Sequence, residues 1–284
     1  LLMESPIKDI IEKGQKPDPT EIYEQALAES PVYKNFSQDE IKSLIATSID
    51  EIAYLEEVGE KDKAKFEIPD DVLRRIGAIW IFSGPGTYDS PTKDDKYNTF
   101  PWARWMDRDR LNHAALLARK VAEVRSGQGP IIGSLETLQE RKEKTRQMIE
   151  EFGPQIVYNG TQLEDDTVAS VLSRDGTIIP EDKVDIIREN IAITLDQIRT
   201  FKLPDNFEPD QELALITHAP QFLRITRMLN ANPPFPVGTK VRLFPVPTPA
   251  IGKREYSKME VLGLLKYTYV DHVATAEPYP FQAS

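Results

Sequence analysis

The chain has 284 residues, 40% apolar and 29% charged, and its 35 basic and 46 acidic side chains leave a net charge of −11. That length holds one large domain or two modest ones, and an acidic chain with no basic run interleaved with aromatics argues against nucleic acid or an anionic lipid surface as partner. Cysteine is absent, which removes disulfides, thiol nucleophiles and thiolate metal sites together and leads to the expectation of a reducing, cytoplasmic setting.

Residues 1–70 read as a helical unit. The opening LLMESPIKD has no basic n-region and is not expected to be a signal peptide. Asp18 is placed as an N-cap before Pro19 at the first helical position, with Glu21 in the first turn. Ser37 and Glu40 have capping-box spacing, and Phe36 with Ile41 can form a hydrophobic staple. Ile41, Leu44, Ile45, Ile49, Ile52 and Leu55 then recur on one helical face, and Gly59 is expected to end the helix. Such a stripe packs against the rest of the chain; a surface for a protein partner is the alternative.

From residue 71 to 284 the texture changes. IGAIWIFS, from Ile76 to Ser83, is a short apolar run closed by Gly84-Pro85-Gly86, as a buried parallel strand would be. An aromatic loop follows, with Tyr88, Tyr97, Phe100, Trp102 and then Trp105, suited either to stacking on a flat ligand or to packing. A helix is expected near Trp105 to Arg125, then a heavily charged helix with a solvated face. Gln155 to Tyr158 reads as a strand ending in Asn159-Gly160, followed by a helix near Asp165 to Ser173. Lys183 to Ile187 is a weaker strand and Asn190 to Phe201 a helix. Leu213 to Ile216 is a strand broken by the polar pair Thr217-His218, after which a helix carries Arg224. Lys240 to Phe244 is read as the last strand, Ser257 to Tyr267 as the closing helix, and EPYPFQAS as a docked or loose tail. No apolar run approaches the roughly 20 residues of a membrane-spanning helix. Strands alternating with helices predict an α/β domain: a parallel sheet with helices on both faces, preceded by the small helical unit.

In a parallel sheet the carboxyl ends of all strands share one edge, where open α/β sheets bind ligands. Ser83, Gly84 and Gly86, then Asn159 and Gly160, then Thr217 and His218 fall at such ends. Glycines there let a ligand approach the backbone, although Gly84-Pro85-Gly86 and Asn159-Gly160 each serve equally well as plain turns. Ser83 lacks the nucleophile-elbow context. His218 has the residue type to move protons near neutral pH, whereas His113, inside a helix, reads as packed and His272 as peripheral. The three histidines match no zinc spacing. Arg110 and Arg224, early on their helices, can hold an anionic group in a two-pronged contact. Asn190, Thr194 and Gln197 fall on one face of the expected helix.

The order of these segments resembles the YdcF/SanA/ElyC family, a Rossmann-like domain of unknown function, over Ile76 to Tyr267. IWIFSGPG is similar to the family's opening strand and glycine turn. Arg110-Leu111-Asn112-His113-Ala114-Ala115-Leu116-Leu117 resembles its R-L-x-x-A-x-x-L helix, and IVYNGTQLEDD its glycine turn before an acidic helix start, with Glu164, Asp165 or Asp166 as the acid. Thr194-Leu195-Asp196-Gln197 resembles T-x-x-N with glutamine in place of asparagine. Thr217 to Arg224 resembles T-S-x-x-H-x-x-R, with His218 for the serine and Gln221 for the histidine. Glu260 to Tyr267 resembles E-x-x-G-L-L-x-Y. The resemblance implies a Rossmann-like fold and a small-molecule ligand, with S-adenosylmethionine as a candidate. The expected function is therefore binding of a polar, anionic or nucleotide-like molecule. A hydrolase or group-transfer enzyme using His218 as base at the same crevice, and a protein-interaction module using the N-terminal helices, are the alternatives.

Overall fold

The computed structural model describes residues 16–62, 66–84, 106–129, 137–173 and 177–284. Its helices are α1 (Pro19–Glu29), α2 (Gln38–Asp62), α3 (Asp70–Arg75), α4 (Met106–Ser126), α5 (Leu138–Phe152), α6 (Gln162–Leu172), α7 (Thr194–Thr200), α8 (Ala219–Ala231) and α9 (Lys253–Tyr269). The strands are β1 (Ile76–Phe82), β2 (Gln155–Asn159), β3 (Val184–Ile186), β4 (Glu212–His218), β5 (Lys240–Val246) and β6 (Phe281–Ala283). Gly86 and the aromatic loop from Tyr88 to Trp105 lie outside the described residues.

All six strands run parallel, in the order β3-β2-β1-β4-β5-β6. The chain winds outward from β1 through β2 to β3, then returns to the other side of β1 for β4, β5 and β6. The direction reverses between β1 and β4. Strand alternation sorts the side chains. Ala78, Trp80, Phe82, Val157, Leu213, Leu215 and Leu243 pack on one face with residues of α1, α2, α7, α8 and α9. Ile79, Ile81, Ile156, Tyr158, Ala214, Ile216 and Phe244 pack on the other with residues of α3, α4, α5 and α6. The continuous apolar runs noted in sequence follow from this two-sided burial.

The N-terminal helices are built as their caps predict. Asp18 accepts from the Thr20 N–H at 2.9 Å, and Ser37 from that of Glu40 at 3.4 Å. The stripe from Ile41 to Leu55 joins the same apolar cluster as α8 and α9. The side chain of Arg227 on α8 also grips both carboxylate oxygens of Glu51 on α2, at 3.0 and 2.8 Å. Gly59 does not end α2, which continues to Asp62. Instead it allows α2 to touch β5, since a Cβ there would stand 2.7 Å from the Pro245 carbonyl oxygen.

Three other expectations are corrected. Thr217 and His218 do not break β4; they pair with Pro245 and Val246 and extend the strand to the sheet edge. β5 likewise runs on to Val246, and the tail is docked as the edge strand β6 beside it. Asn190 is exposed and precedes α7, because the Asp196 carboxylate accepts from the N–H groups of Ala192 and Ile193 (both 3.1 Å) and starts the helix at Thr194. Asn190, Thr194 and Gln197 therefore do not share a helical face. Among the described residues no helix is long and apolar enough to cross a membrane.

Candidate functional site

The carboxyl ends of β2, β1 and β4 bring Asn159-Gly160, Ser83-Gly84 and Thr217-His218 to one edge, as the strand alternation requires. Each pair then divides between the two faces. On the α7–α8 side the polar groups satisfy one another. Asn159 accepts from the Trp80 indole N–H at 2.9 Å and donates to the Gln197 carbonyl at 2.6 Å and to Thr200 Oγ1 at 3.1 Å. Gln197 donates to Ser83 Oγ and, at 3.0 Å, to the Asn159 carbonyl. Gln221 donates to the Ser83 carbonyl at 3.2 Å and accepts from the Thr217 hydroxyl. This amide and hydroxyl network stitches three strand ends to two helices and leaves few groups for anything else.

The α4 side differs. Arg110, one turn into α4, is completely buried. Its Nη1 donates to the Phe82 carbonyl at 2.9 Å and lies 3.4 Å from Asp107 Oδ1; its Nη2 reaches the Tyr256 hydroxyl at 3.5 Å; its Nε donates to His218 Nδ1 at 3.0 Å. Asp107 Oδ1 also accepts from the Gly84 N–H at 3.1 Å. Gly84 has to be glycine, because a Cβ would sit 2.3 Å from Arg110 Nη1. Just after β2, the Gly160 N–H donates to Asp165 Oδ1 at 3.0 Å, and Thr161 with Glu164 forms a full capping box on α6.

A guanidinium Nε can only donate, so His218 Nδ1 is the unprotonated nitrogen and the proton resides on Nε2. Burial, then the charge of Arg110 and the neighbouring His113, hold the imidazole pKa well below its usual range, so the ring stays neutral. Burial alone brings His113 down to about 4. Asp107 is pushed up to about 7 by burial and by the nearby Glu164 carboxylate, against the opposing pull of Arg110 and the Gly84 N–H. Burial raises Asp165 to about 6 despite its bond from Gly160. The Tyr158 hydroxyl is raised well above its usual value by burial and by Asp107 and Glu164.

Among the described residues, buried polar atoms without a partner gather here. They include Asp107 Oδ2, His113 Nε2, Tyr158 Oη and His218 Nε2 on the α4 side and Gln197 Oε1 on the other. Such atoms are normally satisfied. By contrast, a cleft of about 490 Å³ at the opposite, amino edge is lined by Val237, Tyr279, Phe281 and Glu212. Glu212 is already tied to Arg75 at 3.1 Å and Arg242 at 2.7 Å. Among the described residues no group of three or more His, Asp or Glu side chains is placed to hold a metal ion.

Of the residues singled out in sequence, Ser83, Gly84, Arg110, Asn159, Gly160, Gln197, Thr217, His218 and Gln221 meet at this edge. Glu164 caps α6 beside it, Thr194 starts α7 and Asn190 lies outside. Arg224, expected to reach over the crevice, is drawn into the seam between α8 and α9. There Glu260 binds it through both carboxylate oxygens and the Tyr267 ring lies 5.5 Å away. Sequence reasoning missed Asp107, Tyr158 and Tyr256. The spacing of Asp107 and Arg110, three apart on a helix, and of Tyr158, one residue before the end of β2, were available signals; nothing in the sequence marked Tyr256.

The strand order and this edge define a doubly wound, Rossmann-type α/β domain with its polar cluster at the topological switch point. Comparison with protein-family models, with curated proteins and with solved structures finds no match.

Proposed function

We propose that the chain binds a polar, anionic or nucleotide-like small molecule at the switch point between β1 and β4. The observation that carries this is the set of buried polar atoms around Arg110 that have no partner among the described residues. Each costs about 1–3 kcal/mol when left unsatisfied, and they lie where open α/β sheets take ligands. α4, α6 and α8 all start at this edge, which favours a negatively charged group on the ligand. The resemblance to the YdcF/SanA/ElyC family points the same way, and on that ground S-adenosylmethionine is among the candidate ligands.

The second reading is a hydrolase or group-transfer enzyme at the same edge. It is favoured by one feature, the half-buried carboxyl of Asp107, which burial and the Glu164 carboxylate push up to about 7, a range in which it can hold or release a proton at neutral pH. His218 does not serve that reading as a general base, because the lone pair of Nδ1 is occupied by Arg110 and Nε2 already carries its proton.

Thermal-shift measurements with AMP, S-adenosylmethionine and glucose 6-phosphate test the binding reading. A ligand at a hundred times its Kd adds about 2.7 kcal/mol, or a Tm rise of roughly 5 °C or more. The rise should vanish in His218→Phe. If no ligand of the three classes moves the Tm, the reading fails.

A further inference from the structure

The cleft at the amino edge of the sheet opens where β5 and β6 begin. Its volume, about 490 Å³, falls within the roughly 300–1,000 Å³ of small-molecule sites. Val237, Val241, Tyr279, Pro280 and Phe281 give it an apolar lining. Part of that lining is a pinned turn. Gly238 has φ +89°, the left-handed value required at the third position of a type II turn. The Thr239 N–H and hydroxyl donate to the Pro236 carbonyl at 3.1 and 2.7 Å, and the Tyr279 hydroxyl donates to the Thr239 carbonyl at 2.9 Å. The turn so held presents Val237 to solvent at 97% exposure. Most polar groups around the cleft are engaged. Thr239 and Tyr279 serve the turn, Glu212 binds Arg75 and Arg242, and Gln282 Oε1 accepts from Arg242. Lys240 is different: it lines the cleft, is exposed, and among the described residues makes no ion pair. A sugar or a base, which needs several hydrogen bonds, finds few partners here. An apolar cleft beside an unengaged ammonium instead complements an anionic amphiphile.

We propose that this cleft is a second binding site, for a single-chain aliphatic carboxylate, with Lys240 Nζ meeting the carboxylate and Val237, Tyr279 and Phe281 covering the methylenes. The affinity comes mainly from the apolar lining, because an exposed ion pair contributes little; Lys240 supplies the preference for a negative head. Glu212 does not oppose that head, since two guanidinium groups match its charge. The site lies at the opposite edge from the switch point and does not depend on the binding function proposed there.

The test uses the full chain, titrated with hexanoate, octanoate, decanoate, acetate and octanol by calorimetry and followed in ¹⁵N NMR at the amides of Gly238 and Thr239. Octanoate should bind saturably and shift those two signals while leaving His218 in place. Each added methylene should tighten binding, by up to about fourfold when fully buried, and acetate should not bind. Lys240→Glu should weaken octanoate about tenfold, replacing a weak attraction by a repulsion of similar size, and leave octanol unchanged. Val237→Ser should weaken octanoate and octanol alike by up to about fourfold for each methyl group lost. Its Tm without ligand should match the wild type, because Val237 is already 97% exposed. The proposal is overturned by octanol binding as tightly as octanoate, by affinity independent of chain length, or by octanoate shifting His218 rather than Gly238 and Thr239. It is equally overturned if octanoate and decanoate do not bind, or if only anionic phospholipid vesicles or self-association of the chain move the two amides. None of these results bears on the switch point, which the Tm series with AMP, S-adenosylmethionine and glucose 6-phosphate decides separately.

Discussion

Nε of Arg110 donates to Nδ1 of His218 across 3.0 Å, joining the first turns of α4 to the last residue of β4. The same guanidinium holds the Phe82 carbonyl at the end of β1. One buried cation thus spans the two strands between which the winding direction reverses, and decides both the geometry and the protonation of the edge.

Arg110→Met should cost about 3–5 kcal/mol, because it strips the Phe82 carbonyl, Asp107 and His218 of a buried donor at once. Urea unfolding measures this. A loss below about 1 kcal/mol would show that the guanidinium is not what ties the strand ends together.

Asp107 sets a pH dependence. Its folded pKa of about 7 lies above its ordinary value of 3.8, so the folded state holds the proton that the unfolded state releases. Its stabilising share is present below about pH 4 and is lost as pH rises through 7. Asp107→Asn should abolish that decline and unfold less readily than wild type at pH near 8 by a few kcal/mol, roughly 2–4. Thermal unfolding at several pH values checks it, and parallel profiles for the two proteins would refute it.

Glu260→Gln should destabilise by roughly 3 kcal/mol, since it leaves the Arg224 guanidinium buried beside a neutral amide. The double substitution Arg224→Met with Glu260→Met should recover most of that loss, because an apolar pair avoids the desolvation cost. A double-mutant cycle in urea tests this. A double variant as unstable as the single one would assign Arg224 a further role.

Gly59→Ala would ordinarily help a helix by about 1 kcal/mol. Here the new Cβ would meet the Pro245 carbonyl oxygen at 2.7 Å, so α2 must lift from β5 and the change should destabilise by about 1–3 kcal/mol. A stabilised variant would mean that this approach is looser than described.

Deleting residues 1–62 should leave a core that aggregates or binds a hydrophobic dye, because Phe222, Leu223 and Leu264 lie in the apolar cluster that the α2 stripe completes. A monomeric, cooperatively folding remainder would instead free α1 and α2 for a docking role.

By itself the sequence determined the fold class and the edge. Two-sided burial writes itself as unbroken apolar runs such as IWIF and LALI, capping residues such as Asp18 and Ser37 start helices locally, and strands separated by helices force a parallel sheet whose carboxyl ends meet. Those signals are local in the chain, so they survive without coordinates. What only the tertiary structure decided is which polar groups are spent and which are spare. Arg110 and Arg224 look alike in sequence, yet one bridges β1 and β4 while the other is held by Glu260. Asn159 is consumed by Trp80 and Gln197, while Tyr158 beside it has no hydroxyl partner among the described residues. A hydrogen bond depends on the position of an atom brought in from 36 to 138 residues away, and no short-range pattern records that distance.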